Sequence, residues 1–129
     1  MKNLAERLKQ KEGSDISIFI GHLFTFRNDI HLAHLNTKSY AKHIALNELY
    51  TGMLDIIDNL AETAQTDKLL NITIPASMTS NTEPLTMVES MLSYIRENRQ
   101  TFPYSFQQNE IDNLELLLSK TIYKLKFLN

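Results

Sequence analysis

The chain has 129 residues with 13 Lys and Arg against 15 Asp and Glu, a formal net charge of -2, which fits one domain with no global pull toward nucleic acid or an anionic membrane. It has no cysteine, which excludes disulfides, thiolate metal sites and cysteine nucleophiles, and its three Gly and three Pro supply little turn chemistry for an all-β fold. No apolar run approaches the roughly 20 residues that span a bilayer and Met1 to Gly13 is too polar for a signal peptide, so a cytoplasmic, mostly helical single domain over residues 1–129 is expected.

Residues 1–13 read as a short N-terminal lead-in, amphipathic or frayed, with Leu4 and Leu8 its only larger apolar residues after Met1. The first clear helix opens at Ser14 or Asp15, either of which can cap exposed N–H groups. Its residues Phe19, Leu23, Phe26, Ile30 and Ala33 recur at spacings of four and three, a helical stripe ending near Asn36. Ser39 can cap a second helix. Its stripe of Leu46, Tyr50, Met53, Ile57, Leu60 and Ala64 belongs to about 26 proline-free residues, about 40 Å of helix. Gly52 costs it roughly 1 kcal/mol against Ala without breaking the pattern.

Periodicity is lost from Thr66 to Thr82, where one helical turn or a short extended piece fits around Asn71-Ile72-Thr73-Ile74-Pro75. A third helix is expected from about Thr82, with Pro84 in its first turn. Its stripe is Leu85, Val88, Leu92 and Ile95, and Phe102-Pro103 ends it. Ser105 with Gln108 reads as a capping box for a fourth helix, whose stripe is Ile111, Leu114, Leu118, Thr121, Leu125 and Leu128. Four such stripes predict an all-α four-helix bundle. Connections of about three residues make the first and last pairs antiparallel hairpins. The middle connection, of about 16 residues and about 50 Å fully extended, is long enough to travel the length of the second helix. That is the single long crossover, between helices 2 and 3, of ferritin-like bundles.

Three histidines and two carboxylates stand out. His31 and His34 lie at i, i+3 near the end of the first helix, and His43 lies in the first turns of the second. His34 and His43 thus flank one corner and can converge. Asp58 and Glu62 sit at i, i+4 on one face. At 100° per residue, His43, Asn47, Asp58 and Glu62 fall at about 0°, 40°, 60° and 100°, one polar edge beside the apolar stripe. Yet His43 and Asp58 are 15 residues apart, about 22 Å along a helix, too far for one ion. A second copy, packing its long helix antiparallel across a two-fold axis, would bring His34 and His43 against Asp58 and Glu62 and create two identical sites.

The stretch from Ile30 to Asn36, followed by His43 and by Asp58-Asn59-Leu60-Ala61-Glu62, resembles the ferroxidase signature of the Dps-type mini-ferritins. His34 to Tyr40 and Tyr123 to Leu128 resemble a phage-encoded group of Dps-like proteins. The resemblance implies iron bound at inter-subunit sites, as one ion or two, oxidised by peroxide or oxygen and stored in a shell of twelve subunits. It places that shell in the cytoplasm, of the host if phage-encoded. It implies His34 and His43 as nitrogen ligands from one subunit and the catalytic carboxylates Asp58 and Glu62 from its partner, with Glu62 the bridging group. Asn47, Glu48 and His31 would be weak or outer ligands. This chain departs from the family at Asn47, where the family has Asp, at Leu35, where it usually has Trp, and in a first turn about three residues shorter. An amide brings no charge to a cation, so the alternative is a non-enzymatic structural or virion-associated assembly protein with a degenerate metal site.

A lone histidine beside an apolar stripe is more often a satisfied core residue, and His22, without a partner in the pattern, reads so. Met53 reads as core rather than a haem ligand. The resemblance also brings DNA binding, which needs a Lys/Arg-rich tail or surface. Here Lys2, Arg7, Lys9 and Lys11 are diluted by Glu6 and Glu12, and Lys120, Lys124 and Lys126 form only a small cluster. Both read as solvated faces.

Overall fold

The computed structural model describes residues 1–76 and 83–128. The chain is all-helical, with α1 (Leu4–Asn36), α2 (Tyr40–Thr63), α3 (Pro84–Asn98) and α4 (Ser105–Phe127), and one turn of 3-10 helix at Arg99–Thr101. No strand occurs among the described residues. The expected helix start at Thr82 lies outside them.

Helix ends follow their caps, and here two expectations shift. α1 begins at Leu4, not at Ser14, because Asn3 and Glu6 form a capping box. Asn3 Oδ1 accepts from the Glu6 N–H at 2.8 Å, and the Glu6 carboxylate accepts from the Asn3 N–H at 3.3 Å. Residues 4–13 are therefore the first turns of one long helix, exposed as far as Lys11. Ser39 caps α2 as expected, its hydroxyl accepting from the Lys42 N–H at 3.2 Å. Pro84 opens α3, capped by the Glu83 carboxylate, which accepts from the N–H groups of Leu85 and Thr86. α4 is capped one residue earlier than expected, at Tyr104, whose N–H donates to Gln107 Oε1 at 3.3 Å. Gln108 instead donates to the carbonyls of Phe102 (2.9 Å) and of Arg99 (2.8 Å), the latter also accepting from the Phe102 N–H at 3.2 Å, where the backbone leaves the helix after α3.

All four helices feed one apolar core. Phe19, Leu23, Phe26 and Ile30 meet Leu46, Met53, Ile57 and Leu60, with Val88, Leu92 and Ile95 of α3 and Ile111, Leu114, Leu118 and Leu125 of α4. Burying such side chains, at about 1.5–3 kcal/mol each, is what stabilises helices that would be marginal alone. Leu128, at the end of the α4 stripe, is exposed.

α2 packs against both α1 and α4, while α3 packs against α4 and more thinly against α1. The α2–α4 pair is antiparallel, with a Glu48–Lys124 ion pair at one end and Gln107 Nε2 donating to Thr63 Oγ1 (3.1 Å) at the other. Between them Gly52 gives close approach, since a Cβ there would lie 3.0 Å from Leu117 Cδ2. α3 and α4 are likewise antiparallel, pairing Glu89 with Lys126 (3.7 Å) and Arg99 with Asp112 (2.7 Å).

The segment after α2 lies on the outer face of α1. Ser17 Oγ donates to the Leu70 carbonyl at 3.4 Å and Thr25 Oγ1 to the Pro75 carbonyl at 2.8 Å, so residues 70–75 advance in the direction of α1. Gly21 makes this seat possible, because a Cβ would stand 2.4 Å from the Thr73 oxygen. Glu83, at the start of α3, then lies 4.0 Å from Lys42 near the start of α2. Among the described residues, no helix is long and apolar enough to cross a membrane.

Candidate functional site

The corner between α1 and α2 brings His34 and His43 together. His34 Nδ1 lies 2.8 Å from the His43 carbonyl, His43 Nδ1 lies 2.8 Å from the His34 carbonyl, and the rings stack with centroids 3.7 Å apart and planes 21° apart. A carbonyl has no proton to give, so each Nδ1 carries the hydrogen and donates it. In the neutral ring that leaves the lone pair on Nε2, a nitrogen that can ligate a metal, fixed in the way that metal-ligating histidines are usually fixed. The His34 carbonyl lies in the last turn of α1 without an intrahelical N–H, and the His43 ring satisfies it.

Geometry limits what the pair can hold. A metal on an imidazole nitrogen lies near that ring's plane. Two rings stacked at 3.7 Å with only 21° between them cannot grip one ion together as they stand. Each can serve its own ion, or one can serve while the other backs it.

Tyr50 organises the neighbouring residues, a role that its place in the apolar stripe concealed. His31 stacks flat on its ring (4.1 Å, 13°) and His34 meets it edge-on at 5.2 Å. Arg27 Nε donates to the Tyr50 carbonyl at 2.7 Å, with its guanidinium 5.7 Å from the ring. The Tyr50 hydroxyl donates to Asn47 Oδ1 at 3.0 Å. The signal was present in one respect: a half-buried tyrosine needs a partner for its hydroxyl, and Asn47 stands one turn before it.

The other sequence candidates lie apart. Glu48 pairs with Lys124 of α4. Asp58 and Glu62 are exposed toward the far end of α2 and make no ion pair among the described residues. Within one chain, the described residues contain no group of three His, Asp or Glu placed to hold a metal ion. His22 meets Tyr94 edge-on at 5.1 Å, away from the corner. Lys126 and Lys124 pair with Glu89 and Glu48.

The chain matches the model of DUF5856, a family of unknown function, over residues 34–125, and belongs to that family. No curated protein and no solved structure matches it. The matched span opens on His34 and takes in His43, Asn47, Tyr50, Asp58 and Glu62.

Proposed function

We propose that this is a ferritin-like protein of the Dps type, which takes Fe(II) as substrate at sites shared between two copies and passes its electrons to peroxide or oxygen. The observation that carries the reading is the His34–His43 pair, whose two Nδ1–H···O=C bonds leave both Nε2 atoms available as neutral nitrogen donors. One of these imidazoles, backed by the other, with Asp58 and Glu62 of a second copy would make a mixed nitrogen and carboxylate donor set suited to ferrous iron. Each imidazole is held by the opposite residue's backbone, so the donors are oriented before the ion arrives. The partner's carboxylates supply the negative charge that favours the oxidised ion over the ferrous one.

The contact order supports a ferritin-like bundle with one long crossover: residues 70–75 lie along α1 and Glu83 reaches Lys42. In this reading two-fold dimers assemble into a closed shell, twelve copies being the family's number, and the product is stored or rendered harmless there.

A second reading has its own support. The paired imidazole bonds also complete the corner as a structural clasp, and Asn47 and Glu48 are both engaged elsewhere. On that basis the chain would be a helical assembly protein with a degenerate site. Anaerobic Fe(II) titration followed by peroxide or air, with Fe(III) absorbance recorded, separates the two. Saturable binding and oxidation faster than the buffer blank, both lost in Glu62→Gln, are expected. Assembly without saturable binding would favour the clasp.

A further inference from the structure

Far from the histidine corner, we infer that the cleft between the first turns of α1 and the loop after α2 binds a small hydroxylated anion, a sugar phosphate or a sugar acid. The cleft measures about 510 Å³, within the roughly 300–1,000 Å³ usual for small-molecule sites. Ser14, which lines it, is 20 residues from His34 along α1, about 30 Å of helix. The inference therefore stands apart from the iron reading.

The cleft follows from how the chain leaves α2. The Gln65 side chain clips the loop, donating to the Ala61 carbonyl at 3.0 Å and accepting from the Leu70 N–H at 3.0 Å. Asn71 then turns the backbone with φ 53°, a left-handed conformation that asparagine adopts more readily than most residues. Beyond this bend the segment sits on α1, with Thr73 against Gly21 and the Pro75 carbonyl bonded to Thr25 at 2.8 Å. Before it the tie is loose: Ser17 Oγ is 3.4 Å from the Leu70 carbonyl but 2.8 Å from the Gly13 carbonyl of its own helix. Lys68 and Leu69 stand off α1 there, and the gap is the cleft.

Its lining is chemically one-sided. Among the described residues that line it, Lys68 alone is charged. Glu12 and Asp67 line a neighbouring cleft of about 320 Å³ instead. With Lys68 stand Gln10, Ser14, Asn71 and Thr73, whose side chains make no hydrogen bond among the described residues. A cation with no carboxylate in the lining favours an anion, and hydroxyl and amide groups that both donate and accept match a polyol.

Calorimetric titration of the full chain with glucose 6-phosphate, gluconate and glucose tests this. Saturable binding of an anion is expected, at least about tenfold tighter than glucose, the margin of one charge-assisted hydrogen bond. Binding of only the phosphate or only the carboxylate would support the inference and say which head group the cleft takes. Lys68→Gln should erase the preference over glucose. Ser14→Leu, which fills the cleft from an exposed helical position, should abolish binding with the thermal midpoint nearly unmoved. Bound anion should also slow hydrogen exchange at the amides of residues 69–73. Glucose binding as tightly as the anions would overturn the assignment to an anion. No saturable binding to the unaltered protein, or binding that survives Ser14→Leu in folded protein, would overturn the site, and neither result bears on Fe(II) oxidation.

Discussion

The two helix hairpins turn their corners with different chemistry. Between α3 and α4 the corner is held by charge: Arg99 donates to Asp112 at 2.7 Å, to Glu115 at 2.6 Å and to the Gln108 carbonyl at 3.0 Å, and Arg96 reaches Glu115 at 2.9 Å. Burial pulls the Arg99 guanidinium toward losing its proton, but the hydrogen bonds and charges of Asp112 and Glu115 outweigh this and hold it above its ordinary value. Between α1 and α2 the corner is closed by two imidazoles that exchange single N–H bonds with each other's backbone. Their structural work, one N–H to one carbonyl, is work that an amide does equally well, as Gln108 does beside Arg99. What an amide lacks is a further nitrogen lone pair. The α3–α4 corner spends Arg99 on the fold, whereas the α1–α2 corner keeps two ring nitrogens in hand.

Substitutions can break this contrast. The largest effect is expected from Glu62→Gln, which removes an exposed carboxylate that the fold does not use. Fe(II) oxidation should fall at least about tenfold, the low end for disturbing a metal site, with the thermal midpoint nearly unmoved. If oxidation persists, the carboxylate half of the site is misassigned. Arg99→Ala should do the converse, costing about 2 kcal/mol in denaturant unfolding as several charge-assisted bonds are lost, with the oxidation rate per folded chain unchanged. His34→Gln keeps an N–H donor at the first corner and removes the ring nitrogen. A loss of about 1 kcal/mol from the missing ring contacts is expected, together with loss of oxidation. Retained oxidation in that variant would reduce His34 to a clasp. The smallest change is Tyr50→Phe, which removes one hydroxyl bond worth about 1 kcal/mol, also read by denaturant unfolding.

Much of the fold was legible because helical periodicity reports burial directly. The four stripes from Phe19 to Leu125 are the core, and Ser39 caps α2 where its residue type places it. What escaped was local chemistry with a less obvious signal. Asn3 and Glu6 start α1 before any apolar stripe begins, and the capping of α4 turns on Gln107 rather than on the neighbouring Gln108. Gly52 looked like a mere cost in helix propensity, yet it is where Leu117 closes on α2, as Gly21 is where Thr73 closes on α1. Such approaches are tertiary facts with no trace in spacing. The candidate site divides in the same way. His34 and His43 were legible as flanks of one short corner. The stack of His31 on Tyr50 and the bond from Tyr50 to Asn47 depend on how α1 lies against α2, which periodicity places only to within a turn.

The central claim is that one site needs two chains, and mixing two silent variants tests it most directly. A His43→Gln chain keeps its carboxylates and a Glu62→Gln chain keeps its imidazoles. Dissociated, combined in equal amounts and reassembled, half of the two-fold dimers should be mixed, each with one intact site of two. Fe(II) oxidation should therefore return to about a quarter of the unaltered protein's rate, although neither variant alone is active. A mixture as silent as its components, after exchange has been verified by mass, would contradict a site built from two chains.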